Sequence, residues 1–321
     1  MGIYLGHESA LRYWLTKRGD ECVPDRLPLA NIADGTASLR DLEAAPLPFD
    51  FSERRPLSVL VACQARLRKS SEVSARVLKA RLPMGSFCEL AGSTAVASPE
   101  LTYLLMAQDS SVVDAAIIGS YLCSGFSIGE DGRGYVGSRE PLVTPKEISN
   151  YLDKVPGAYG IKTARRALKY VVPNTASPME VLLALSCSLP PLLGGRSMPP
   201  VIANQRIAVP DELLKLAGTD SLYGDLFFAK VKGDLEYDSN EYHTGKFRSD
   251  HTFARRNVIE AAGVKVVSAT WGQMRTFEMF NTFWWLVERN FGLRHHSFNE
   301  RQRAAQEELY LRFTDKEFRL F

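Results

Sequence analysis

Three acidic residues, Asp225, Glu236 and Asp238, have the types and spacing to do chemistry in this 321-residue chain. Asp225 lies in the apolar run GDLFF. Glu236 and Asp238 lie in the next run, GDLEYD, and only a short turn with Lys230, Lys232 and Gly233 separates the two. That pattern predicts a β-hairpin, in which side chains two apart share a face and opposing residues stand about 5 Å apart. The carboxylates of Asp225 and Glu236 can then meet on one hard cation, Mg²⁺ or Mn²⁺, whose preferred ligands are oxygens. Such an ion activates water and offsets the charge that develops on a phosphate. Glu180, in the first turn of the helix opening this region, adds a ligand directly or through water. Asp238 shares the side of Glu236, and His243 on the following loop can position or deprotonate the water. Cleavage of nucleic acid is the chemistry this set serves.

Each of these residues also has a plainer use. Glu180 follows Ser177-Pro178-Met179, where a glutamate is wanted for helix capping alone. Asp234 and Glu241 are expected to be solvated turn residues, and His243 and the pair His295-His296 to be surface residues. Phe277, Phe280, Trp284 and Val287 recur at helical spacing and predict core packing. The Gly129–Gly137 run lacks the Lys-Ser/Thr ending of a phosphate-binding P-loop.

The elements that must hold the acids read clearly from 178 onwards. A helix is expected over 178–189, strands over 201–209, 222–229 and 232–238, a helix over 248–262, a strand over 264–270, and helices over 275–290 and 299–313. The helix after the hairpin carries Asp250, Arg255 and Arg256. Upstream, Ser9–Arg18 reads as a helix with a Leu11, Trp14, Leu15 stripe. Residues 19–56 read as irregular, with a helical turn at Ser38–Ala45. Strands are expected at Leu57–Ala62 and Thr94–Ala97, and Arg76–Leu82 with Ser86–Leu90 as a hairpin. Ser98-Pro99-Glu100 starts a helix, with Ser as cap and Pro in the first turn; Val112–Gly125 forms another. Thr144 to Glu147 is a capping box, and Lys162–Val171 is a basic amphipathic helix.

Composition sets the class. Apolar residues make up 45% and charged residues 24%, ordinary for a folded protein. A net charge of +2 is too small to mark the whole chain as a nucleic-acid binder, so any basic surface is local. The candidates for contacting DNA are Arg165, Arg166 and Lys169 on one helix, and Lys246, Arg248, Arg255 and Arg256 beside the acids. No run is apolar enough to span a membrane, and His7 and Glu8 interrupt any signal-peptide core. The five cysteines are dispersed and form no C-x-x-C pair, which predicts buried free thiols in a reducing cytoplasm. We expect an α/β protein in two domains: 1–140 mixed α+β, 141–174 a helical connector, and 175–321 the domain that bears the acids.

SPMEVLLALS, IANQRIAV, YGDLFF, LEYDSNEYHTG, the D-x5-R of Asp250–Arg256 and AAGVKVVSAT, in that order, resemble the endonuclease domain related to very-short-patch mismatch-repair nucleases. That group belongs to the PD-(D/E)xK restriction-endonuclease-like superfamily. The resemblance covers about residues 175–275 and implies an αβββαβ core, with Asp225 and Glu236 as metal-binding acids and Glu180 as the helix acid. Asp238 stands where many members have the lysine of E-x-K. An E-x-D-G version is common in this branch, and here Ser239 replaces its Gly. In the N-terminal half, TAVASPELTYLLMAQ is similar to a strand-then-helix segment of abortive-infection type antitoxin modules. This implies a DNA-binding or regulatory part in bacterial defence or a toxin–antitoxin setting, with DNA, a homodimer or an antitoxin-like partner. The alternative is a non-catalytic DNA-binding regulator that keeps the nuclease fold. A nucleotidyltransferase is disfavoured, because Gly194-Gly195-Arg196-Ser197 lies too far upstream to be its phosphate loop.

Overall fold

The computed structural model describes residues 2–19, 21–28, 32–68, 70–238 and 246–321, with the backbone alone for 246–253. The chain is α/β and divides into two compact units, Met1–Pro173 with Arg319–Phe321, and Asn174–Phe318. The helices expected as a 141–174 connector belong to the first unit, where they pack on its other helices.

In chain order the first unit contains β1 (Ile3–Leu5), α1 (His7–Thr16), β2 (Arg26–Leu27), α2 (Leu39–Glu43), β3 (Leu57–Val61), β4 (Val73–Val77), β5 (Phe87–Glu89), β6 (Thr94–Ala97), α3 (Pro99–Met106), α4 (Val112–Leu122), β7 (Phe126–Ile128), β8 (Tyr135–Ser138), α5 (Pro145–Lys154) and α6 (Ile161–Leu168). Six strands make one sheet in the order β2-β5-β6-β1-β3-β4, and β7 and β8 form a separate ribbon. β1 pairs parallel with β6 and antiparallel with β3. It is buried on every residue, yet at three residues it offers no alternation to read.

One expectation changes here. Arg76–Leu82 and Ser86–Leu90 do not form a hairpin: β4 pairs parallel with β3 at one edge of the sheet, and β5 pairs with β6 and β2 towards the other. The Gly-rich segment after Phe126 is the turn and second strand of the β7–β8 ribbon. The capping signals act as their chemistry requires. Ser98 accepts from the Leu101 amide at 3.3 Å, and Thr144 and Glu147 exchange reciprocal bonds. Trp14 is fully buried and donates Nε1 to the Ala97 carbonyl at 2.7 Å, which ties α1 to β6.

The second unit runs α7 (Pro178–Ser188), β9 (Ile202–Ala208), α8 (Leu214–Ala217), β10 (Ser221–Phe228), β11 (Gly233–Asp238), α9 (Lys246–Ala261), β12 (Lys265–Thr270), α10 (Trp271–Met274), α11 (Phe277–Phe291) and α12 (Glu300–Thr314). Its sheet has the order β12-β11-β10-β9. β9, β10 and β11 are antiparallel neighbours, and β12 returns parallel to β11. A parallel return needs a long crossover, which α9 supplies. Ile259 of α9 packs with Ile207, Val264 and Val266. Trp284 and Val287 of α11 are fully buried, and Phe291 stacks on Phe228 with ring centres 5.2 Å apart; the aromatic stripe is core. Pairing of β9 with β10 runs from Ser221↔Ala208 to Gly224↔Gln205, skips Asp225, and resumes at Leu226↔Ala203. Asn204, opposite the skipped position, has φ 55°.

Candidate carboxylate site

Pairing between β10 and β11 ends at Leu226↔Leu235. One residue further on, the Asp225 carboxylate takes the place of a backbone partner and accepts from the Tyr237 amide at 2.8 Å. The acids gather around this point. Burial pushes the Asp225 carboxyl up to about 6; the Tyr237 bond opposes that shift, and the charge of Glu236 adds to it. Glu180 stands at 7% exposure, accepting from the Ala176 amide at 2.7 Å and the Ser177 hydroxyl at 2.8 Å. Burial, then the nearby charge of Asp225, push it up to about 7. It therefore caps α7 and also senses Asp225.

Asp234 is a correction. Instead of a solvated turn residue it is the second residue of β11, with 0% exposure. The turn closes earlier, at Lys232 with φ 48°. Neither Asp234 oxygen has a hydrogen-bond partner. Burial, then the charges of Glu236 and Asp225, hold its carboxyl well above the ordinary range. Room for it exists because residue 224 is glycine: a Cβ there would lie 2.5 Å from both Asp234 carboxylate oxygens. A glycine in the facing strand is the signal that could have found it, since isolated strand glycines mark close approach.

Glu236, 7% exposed, is ion-paired to Arg255 of α9, and the same guanidinium donates to the Tyr223 carbonyl of β10. Asp238 ends β11 half-buried, opposite Thr270 of β12, within electrostatic reach of Asp225. His243 and Glu241 lie outside the described residues, as do the side chains of Lys246, Arg248 and Asp250.

No family model, no curated protein and no solved structure matches this chain.

An all-oxygen, buried donor set suits a hard divalent cation, and the orphaned oxygens of Asp234 leave valence unused. Even so, no three His, Cys, Asp or Glu side chains among the described residues are grouped to hold a metal ion. Arg255 already sits on Glu236, so one cationic partner is built in.

The basic residues separate into tied and open ones. Arg256 bonds Glu260 at 3.0 Å and the Val266 carbonyl at 3.3 Å. Arg165, in the first unit, pairs with Asp153 at 2.9 Å. Arg166 of α6 and Lys169, which follows its last residue, are exposed. The cysteines are all free; Cys88, Cys123 and Cys187 are buried, whereas Cys22 and Cys63 are exposed, against expectation. His295 is exposed, but its Nδ1 lies 2.5 Å from the buried Glu288, which Arg196 also holds at 3.1 Å. Among the described residues no helix is long and apolar enough to cross a membrane.

Proposed function

We propose that the second unit is a Mg²⁺-dependent DNA endonuclease domain of the restriction-endonuclease-like kind, hydrolysing phosphodiester bonds. Its order of helix, three strands with the short α8 between the first two, helix and a parallel last strand supports the reading. The observation that carries it is the gathering of Asp225, Asp234 and Glu236, with Glu180 close by, where β10 and β11 part. Burying several carboxyls together is costly, and folds keep such clusters chiefly at functional sites. Asp225 and Glu236 would hold the ion, with Glu180 joining through water. The bound ion supplies an activated water and neutralises charge on the phosphate. Arg255 is placed to contact a phosphate oxygen once released from Glu236.

A second reading has its own support. The Arg255–Glu236 pair neutralises the site internally, and residue 238 is Asp where many nucleases of this kind carry lysine. Both features suit a non-catalytic DNA-binding regulator. Cleavage of plasmid DNA with Mg²⁺ or Mn²⁺, wild type against Glu236→Gln, separates the two. The nuclease reading expects cleavage that falls by about a hundredfold or more in the variant, the scale of losing one electrostatic stabiliser of the transition state. DNA binding without cleavage in the wild type leaves the regulator.

A further inference from the structure

The first unit contains a cavity of about 460 Å³, within the usual size range of small-molecule sites. Its floor is formed where β3 and β4 lie side by side in parallel register, Ser58 opposite Ser74. One wall is α1, through Glu8, Ser9 and Arg12; the other is the segment from Phe49 to Pro56, with Arg319 and Phe321 completing the lining.

The lining is already partly committed, and what remains free has a definite character. Arg12 is used up: it bonds Glu130 at 2.7 Å and the Asp50 carbonyl at 3.1 Å, with its guanidinium 4.2 Å above the Phe49 ring. It thereby fixes that ring as a flat apolar surface. Ser58 donates to Glu8 Oε2 at 2.8 Å and the Arg76 guanidinium faces Oε1 at 3.7 Å, beyond hydrogen-bond distance, so Oε1 keeps a lone pair able to accept from a ligand. Arg54 and Arg55, both exposed at the mouth, have no carboxylate partner among the described residues; Arg55 reaches only the Glu130 carbonyl, at 3.2 Å. No partner for the Ser74 hydroxyl is present among the described residues either.

We infer that this cavity binds a mononucleotide. Its phosphate meets Arg54, Arg55 and Ser74, its base lies against Phe49 and Phe321, and a ribose hydroxyl or base amino group donates to Glu8. Two guanidinium forks with a hydroxyl match phosphate geometry. The ring surfaces take a planar body. An independent ligand site in this unit gives the chain a small-molecule input.

Calorimetric titration of the full chain with AMP, GMP, adenosine and inorganic phosphate tests it. At least one of AMP and GMP should bind at least about tenfold more tightly than either adenosine or phosphate alone, the scale of one charge-assisted bond. The exposed double substitution R54Q/R55Q, which leaves the core untouched, should weaken that binding by about tenfold or more, and Phe49→Ala should weaken it further. Glu236→Gln, in the other unit, should leave it unchanged. Nucleotides binding no more tightly than phosphate, or equally well in R54Q/R55Q, would overturn the inference. So would loss of binding in Glu236→Gln, which would move the nucleotide to the carboxylate site.

Discussion

Arg255 links three elements with one guanidinium: it grows from α9, pairs with Glu236 of β11 and donates to the Tyr223 carbonyl of β10. It does for Glu236 what an added cation would do, so the two compete. Two unit charges about 4 Å apart interact by ~4 kcal/mol at an effective dielectric near 20. Arg255→Gln should therefore raise Mn²⁺ affinity, followed by electron paramagnetic resonance, by about tenfold or more. Unchanged or weaker Mn²⁺ binding would show that the guanidinium does not occupy the cation's place.

The buried acids set a pH dependence with a definite sign. Glu180 and Asp225 stand at about 7 and about 6 in the folded chain against ordinary values of 4.5 and 3.8. Between about pH 4 and 7 the native state therefore binds more protons than the unfolded state, and stability falls as pH rises through that window. The loss is ~1.4 kcal/mol for each pH unit over which one such group alone carries the difference. Three of the four tryptophans, Trp271, Trp284 and Trp285, lie in the second unit, so urea midpoints read by tryptophan fluorescence should decline from pH 5 to pH 8. Glu180→Gln should flatten the decline; a midpoint that rises over this range would contradict the burial of these carboxyls.

Gly224 and Asp234 are a matched pair. A methyl at 224 would meet the Asp234 carboxylate at 2.5 Å, and Asp234 is fully buried. Gly224→Ala should cost about 1–3 kcal/mol, the usual range for overpacking. Asp234→Ala removes both the obstruction and a buried acid. In a double-mutant cycle the alanine at 224 should cost much less with alanine at 234. Additive effects would mean the two residues do not share the space.

Salt dependence can locate the DNA contacts. Arg256 and Arg165 are tied to carboxylates, whereas Arg166 and Lys169 are exposed. If α6 contacts DNA, R166A/K169A should make the plot of log affinity against log salt shallower by about 2, near 0.9 per lost phosphate contact. Arg256→Ala should change the slope little. Equal slopes for wild type and R166A/K169A would remove α6 from the interface.

A buried charge network offers a stability test with no bearing on catalysis. Glu288 is 1% exposed and held by Arg196 at 3.1 Å and His295 at 2.5 Å. Glu288→Leu leaves the mostly buried Arg196 without its carboxylate, and should cost about 3–5 kcal/mol in a urea titration. A loss under about 1 kcal/mol would mean that the pair and its surroundings offset each other.

The second unit was legible because its signals are strong and local. Ser177-Pro178 starts α7, apolar runs mark β10, β11 and β12, and the aromatic stripe marks α11. The first unit hid its sheet because β1 and β5 span three residues each, too short to display a period of two, and because β4 pairs parallel with β3 before it instead of forming a hairpin with β5. In the site, spacing found Asp225, Glu236 and Glu180. It missed Asp234, since burial of an acid next to a turn depends on which residue of the facing strand lacks a side chain. It could not choose between phosphate and acid as the partner of Arg255, nor single out Glu236, which lies 19 positions away and meets it only after α9 crosses back over the sheet.

The skipped pair at Asn204 bears on how the protein meets its own copies. β9 is an edge of its sheet, and an open edge is a template on which a stray strand can add. With φ 55° at Asn204, the row of outward amides and carbonyls is bent midway, and the exposed Arg206 adds charge beside the bend. A straight strand from another molecule can align with one half of β9 but not both. The irregularity that frees Asp225 from the ladder thus also guards the sheet against edge-to-edge aggregation.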